Sequence, residues 1–225
     1  MTQGQILYTV DIVLCIDATG SMSSIINSVK AGALRFYDDL TAKMQSKDKV
    51  IDVMRVRVIA FRDYYDDASG AMIESPFFTL PHEQDAFKQF VSKIEADGGG
   101  DEPENGLEAV SLAIKSDWSK IGDKRRQVIV VWTDASAHPL EKGDKPRHYP
   151  TDMPSNFDEL TDIYEANQGY MNKNAKRIVL FAPEAYPWTD MGTNWNQAIL
   201  YPSKAGDGLN DIDYGSILDL IAHSV

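Results

Sequence analysis

A single cysteine, Cys15, leaves no intrachain disulfide to form, and its place inside an apolar run marks it as an inert core thiol. That scarcity fits a reducing compartment. No stretch approaches the roughly 20 apolar residues of a membrane helix, so no membrane association is expected. The opening residues, Met1-Thr2-Gln3-Gly4-Gln5, contain neither a basic segment nor an apolar stretch of signal-peptide length, so a cytoplasmic location is expected. Basic clusters are scarce as well. Lys124-Arg125-Arg126 is short and precedes a strand, and 22 basic residues face 34 acidic ones for a net charge of −12. Such a surface repels phosphate backbones, so nucleic acid is not an expected partner.

What is present is a chain of 225 residues, long enough to bury a core without disulfide staples. Apolar runs alternate with helical patterns. Ile6 to Ile16 reads as a first strand and Ser23 to Met44 as the helix after it. Val50 to Phe61 is a second strand, and Ile73 to Leu80 a shorter one that Pro76 assigns to an edge. Helices are expected from Glu83 to Ala96 and from Glu104 to Lys115, on either side of Gly98-Gly99-Gly100. Val128 to Thr133, the most apolar run, reads as a central strand beside the first. A polar loop from Ala135 to Ser155 follows. Then come a helix from Phe157 to Asn172, a strand from Arg177 to Ala182, a helical segment from Asn194 to Ile199 and a last helix from Tyr214 to His223. This alternation predicts a doubly wound α/β fold, a mainly parallel central sheet with one antiparallel edge strand and helices on both faces. No linker or repeat divides it, so residues 1–225 read as one domain.

In such sheets ligands gather at the carboxyl ends of strands, where strand order reverses. Three loops at such positions carry oxygen ligands: Asp17-Ala18-Thr19-Gly20-Ser21, Gly98-Gly99-Gly100-Asp101-Glu102-Pro103-Glu104, and Asp134-Ala135-Ser136. In a turn leaving a strand, alternate side chains can aim oxygens at one centre. An all-oxygen set suits a hard divalent cation, Mg²⁺ first and Mn²⁺ or Ca²⁺ as alternatives; no cysteine or histidine pair points to zinc. Ser21 and Asp101 could each serve instead as a helix N-cap.

These residues resemble the von Willebrand factor A domain and its metal-ion-dependent adhesion site. The Asp-x-Ser-x-Ser motif of that family reads here Asp17-Ala18-Thr19-Gly20-Ser21. Its second element, a threonine after paired glycines, aligns with Asp101; its third, an aspartate closing a strand, aligns with Asp134. The resemblance implies a Rossmann-like fold and a metal site of Asp17, Thr19, Ser21, Asp101 and Asp134. Asp101 in place of threonine, with Arg62-Asp63, resembles a variant found in intracellular and kinase-linked members. A third carboxylate would weaken the ion's pull on an acidic residue of a partner.

The resemblance implies a non-catalytic module docking a protein partner, such as a kinase, phosphatase or ATPase. The alternative is a metal-dependent hydrolase or phosphotransferase using the same ion as Lewis acid. Against it, Thr19 stands where an aspartate-nucleophile phosphatase needs a second aspartate, and no phosphate-binding loop with its lysine is present. His138 lies near the rim and reads as a solvated loop histidine. Trp188 and Trp195 read as packing residues, and Arg62 and Asp63 as surface charges paired across the sheet edge.

Overall fold

A computed structural model describes residues 6–24, 26–47, 49–67, 70–100, 102–165 and 169–202, together with Asp219 and Ala222. The organising strand is β1, Tyr8–Asp17, buried from Thr9 onward. Its β-branched sequence suits a strand covered on both faces. Val10, Ile12, Leu14 and Ile16 point into one apolar layer, while Val13 and Cys15 point into the other.

Strand β2 (Val53–Phe61) pairs parallel with one edge of β1, and β5 (Lys124–Trp132) pairs parallel with the other. Beyond β5 come β6 (Lys176–Ala182) and β7 (Ala198–Pro202), both parallel. Outside β2 lie β3 (Met72–Glu74) and β4 (Phe78–Leu80), both antiparallel to it. The path across the sheet is β3-β2-β1-β5-β6-β7, with β4 also on β2. The chain therefore leaves β1 toward β2 and returns to its opposite side as β5. The point of reversal lies between β1 and β5.

Helices cover both faces. On the first, α1 (Ile26–Gln45) and α2 (Gln84–Ser92) bury Val29, Phe36, Leu40, Phe87 and Val91. On the second, α3 (Gly106–Ile114), α4 (Phe157–Glu165) and α5 (Trp188–Asn194) bury Leu107, Ile114, Leu160, Tyr164 and Trp188. No helix among the described residues is long and apolar enough to cross a membrane.

The doubly wound, mainly parallel architecture is as the sequence predicts, and the expected neighbours β1 and β5 are paired. Three elements differ. The strand expected over Ile73 to Leu80 is two short ones, because Pro76 has no N–H to donate. Ser75 takes over there: its hydroxyl accepts the Val58 N–H at 2.8 Å. The helical segment expected over Asn194 to Ile199 is wrong. Helix α5 ends at Asn194, Gln197 takes φ 64°, and Ala198 opens β7. The helix from Phe157 stops at Glu165 in the described chain rather than running to Asn172, since residues 169–171 form a bend. The expected last helix, Tyr214 to His223, lies outside the described residues except for Asp219 and Ala222, both helical.

Two measurements test this packing. Burial pushes the Cys15 thiol up to about 12, so it stays protonated at neutral pH. We expect a thiol reagent at pH 8 to leave the native protein unmodified and to label one site after unfolding; labelling of the native state at the unfolded rate would contradict the buried β1. A methyl group added at Gly106 would stand 2.7 Å from the Trp188 ring. Gly106→Ala should therefore cost about 1–3 kcal/mol of stability in a denaturant titration.

Candidate metal centre

Asp17 is the last residue of β1 and is fully buried. Its Oδ1 accepts the Thr19 backbone N–H at 2.9 Å and the Thr19 hydroxyl at 2.6 Å. This is the local turn that aspartate favours, closing onto the amide two residues on. Its Oδ2 accepts the Thr133 hydroxyl at 2.6 Å. Thr133 stands opposite because β1 and β5 run parallel with Ile16 beside Trp132.

The chain of oxygens continues. Thr19 Oγ1 lies 3.1 Å from Ser21 Oγ, and Ser21 Oγ lies 2.9 Å from Asp134 Oδ1. Asp17, Thr19 and Asp134 are buried, while Ser21 is exposed and opens the cluster to solvent. Each hydroxyl has one proton to give. Thr19 and Ser21 thus supply two protons to three oxygen–oxygen contacts: to Asp17, to each other and to Asp134. With both carboxylates ionised, one contact sets lone pair against lone pair. That arrangement suits a cation better than it suits a hydrogen-bond network.

Electrostatics point the same way. Burial, with Asp134 adding repulsion, raises the Asp17 carboxyl to about 6 despite the bonds from Thr133 and Thr19. Glu104, just before α3, is also buried, and its Oε2 has no hydrogen-bond partner. Burial and then the charges of Asp17, Asp63, Asp67 and Asp134 push its carboxyl up to about 8. Gly99 explains how Glu104 comes so near. At φ 83° a Cβ there would lie 2.6 Å from Thr19 Cβ and 2.8 Å from Glu104 Oε1, so only glycine lets the two side chains close on this point.

The surrounding loops are tied down by backbone bonds. Ala18 N–H donates to Phe61 O, Gly20 N–H to Gly98 O, and Asp97 N–H to Ala18 O, at 2.9, 3.0 and 3.0 Å. Arg62 donates from Nε to Ala18 O at 3.1 Å and from Nη2 to Glu95 O at 3.0 Å. It clamps backbone, which corrects the expectation that it pairs with a carboxylate across the sheet edge. Asp63 instead contacts His138 Nε2 at 3.0 Å. His138 is 6% exposed, which corrects its reading as a solvated loop residue. Tyr65 stands edge-on to its ring, and Lys142 Nζ lies 3.3 Å from its Nδ1. Trp188 is a packing residue as expected, with its indole N–H donating to Ala135 O at 2.9 Å beside the site.

Four of the five residues singled out in the sequence, Asp17, Thr19, Ser21 and Asp134, therefore meet in one cluster. The fifth, Asp101, lies outside the described residues. Among the described residues no group of three or more histidine, cysteine or carboxylate side chains forms a metal cluster; the site mixes carboxylates with hydroxyls. Glu104 is the participant that sequence reasoning passed over. Its one advance signal is position, three residues after Asp101 in the same glycine-led loop.

Comparison with known proteins bears on this arrangement. The family description of the von Willebrand factor A domain matches residues 11–146. The Dictyostelium discoideum alpha-protein kinase vwkA is 27% identical over 164 residues, covering 72% of this chain and 24% of its own length. A putative ariadne-like RING finger protein of Acanthamoeba polyphaga mimivirus is 26% identical over 155 residues, covering 66% of this chain and 12% of its own. The chain thus spans a quarter or less of these relatives. Among solved structures, the pilus adhesin SpaC of Lactobacillus rhamnosus GG superposes with a TM-score of 0.58 at 12% identity, over 97% of this chain and 31% of its own. Proximal thread matrix protein 1 of the mussel byssus gives 0.50 at 12%, over 96% and 46%. At such identities these two share the fold. The matched profile spans more than half of the sequence, from β1 through the loop after β5, and the chain belongs to the von Willebrand factor A domain family.

Proposed function

We propose that this chain is a divalent-cation-dependent protein-interaction module. Asp17, Thr19, Ser21, Asp101 and Asp134 hold one ion, Mg²⁺ by preference with Mn²⁺ or Ca²⁺ able to replace it, and Glu104 offers a further carboxylate oxygen. The observation that carries this reading is the proton shortage along Asp17–Thr19–Ser21–Asp134, with the unpartnered Glu104 oxygen in the same carboxylate field. When bound, the ion supplies a compact positive charge that offsets these carboxylates. The chain's own residues do the rest: Thr133 orients Asp17, Arg62 holds the loop after β1, and Trp188 holds the loop after β5.

The ordered loops then present a surface to a protein partner, as interaction modules of this family do. A kinase, phosphatase or ATPase is the partner class we favour, and a cytoplasmic setting goes with it. Support for a kinase comes from the Dictyostelium relative, a kinase by name, of which this chain matches 24%. In this reading the domain is not itself an enzyme. Ser21, the exposed hydroxyl of the cluster, faces Asp134, while His138 is engaged by Asp63.

Thermal unfolding tests the ion. At 100 times its dissociation constant a bound ion adds about 2.7 kcal/mol, which for a chain of this size shifts Tm by roughly 5–10 °C relative to EDTA. No shift with Mg²⁺, Mn²⁺ or Ca²⁺ would falsify the proposal. A second experiment separates charge from shape. Asp17→Asn removes one buried negative charge facing Asp134 and Glu104 while keeping an oxygen at the same place. In EDTA the variant should be more stable than wild type by about 1 kcal/mol or more, and Mg²⁺ should no longer raise its Tm. A variant less stable in EDTA, yet still responsive to Mg²⁺, would show that Asp17 is a structural cap only.

A further inference from the structure

At the opposite end of the sheet, where the parallel strands begin, lies a cleft of about 460 Å³. That volume is within the range of small-molecule sites. Its walls come from the segment between α3 and β5, from Arg125 and Gln127 on β5, and from the turn leading into β6. Three cations line it, Lys120, Arg125 and Lys173, and no lining residue is a carboxylate. None of the three is in an ion pair among the described residues. In a chain of net charge −12, carboxylates are plentiful, and this cleft gathers positive charge without them.

The floor of the cleft is fixed. Gln127 is buried, and its Oε1 accepts the Asn172 N–H at 2.6 Å while its own N–H donates to Ala175 O at 3.0 Å. Asn172 Oδ1 in turn accepts the Asn174 N–H at 3.0 Å. Arg125 donates from Nη1 to Lys120 O at 3.2 Å, which holds the guanidinium beside the loop and leaves it other N–H groups. Trp118 is buried in the wall, whereas Tyr170, 44% exposed, keeps part of its ring open to solvent.

We infer that this cleft binds a phosphorylated small molecule carrying a planar ring, a mononucleotide by class. One arginine and two lysines lining the same cleft suit a phosphate, for which arginine offers paired donors and lysine a point charge. The Tyr170 ring offers a face for stacking, and the exposed side-chain amides of Asn172 and Asn174 supply donors and acceptors to a heterocycle edge. This assignment does not depend on the ion at the other end of the sheet.

Calorimetric titration of the whole chain tests it, in EDTA so that no ion at the opposite end can hold a phosphate. The ligands are AMP, ADP, ribose 5-phosphate and pyrophosphate. We expect AMP and ADP to bind and ribose 5-phosphate to bind more weakly than AMP. Lys120→Gln with Lys173→Gln, both at exposed positions, should weaken AMP by about tenfold or more, as expected for loss of charged contacts, with an unchanged thermal melt. Tyr170→Ala should weaken AMP and leave pyrophosphate unaffected. Absence of binding by all four ligands at millimolar concentration overturns the inference, as does equal AMP affinity in the double variant. Equal affinity for AMP and ribose 5-phosphate overturns the ring half of it and leaves a phosphate site.

Discussion

A fully buried carboxylate at the end of the central strand is the constraint around which the rest of the structure is arranged. Removing Asp17 from water is costly unless its oxygens are bonded or paired with charge. The chain meets that demand from two directions. Thr19 closes onto it from the loop that follows, and Thr133 reaches it from β5. The second bond exists only if β1 and β5 are adjacent, parallel and in register, so the side-chain bond and the sheet order support each other. The three donated bonds do not fully compensate the burial, because the Asp17 carboxyl still sits above its ordinary range. Glu104 adds a second such carboxylate nearby rather than a counter-charge.

Parallel strands place all their carboxyl ends along one rim and all their amino ends along the other. The acidic centre occupies the first rim at the reversal between β1 and β5. The cationic cleft occupies the second, between β5 and β6. Strand β5 contributes to both: Arg125 and Gln127 near its start line the cleft, and Thr133 and Asp134 just past its end complete the acidic cluster. Charges of opposite sign are therefore held apart by the length of one buried strand. Its apolar middle, Val128 to Trp132, keeps that separation free of intervening polar groups.

Those parts of the molecule governed by short-range chemistry were legible in the sequence. β1, β5 and β6 contain continuous apolar runs buried on both faces, and β2 alternates through Arg55 and Arg57 before its buried end, so each carries a strand signal. Asp17, Thr19 and Ser21 could be grouped because the turn that joins them spans five residues. Edges and tertiary burial were harder. Ala198–Pro202 follows only three residues after α5, and a strand so short has no period to set it apart from a helix. Its identity comes from lying beside β6. Glu104 looked like the opening of a helix, because its burial depends on Thr19, which approaches it from the loop after β1, and on the close passage that Gly99 allows. His138 looked solvated because its partner, Asp63, is 75 residues away in sequence.

The extent of the family match adds a last step. It ends at residue 146, yet the sheet continues through β6 and β7, and α4 and α5 cover them. Every described residue of the acidic centre falls inside the matched region. The cleft straddles the boundary: Lys120, Arg125 and Gln127 lie inside it, while Tyr170, Asn172 and Lys173 lie beyond. Its floor depends on this later segment, since Gln127 is fixed by Asn172 and Ala175. The later segment also supports the acidic end, where the Trp188 indole N–H donates to Ala135 O and Thr133 N–H to Phe181 O. The two ends of the sheet thus differ in charge, and only the acidic one has all its described residues inside the matched region.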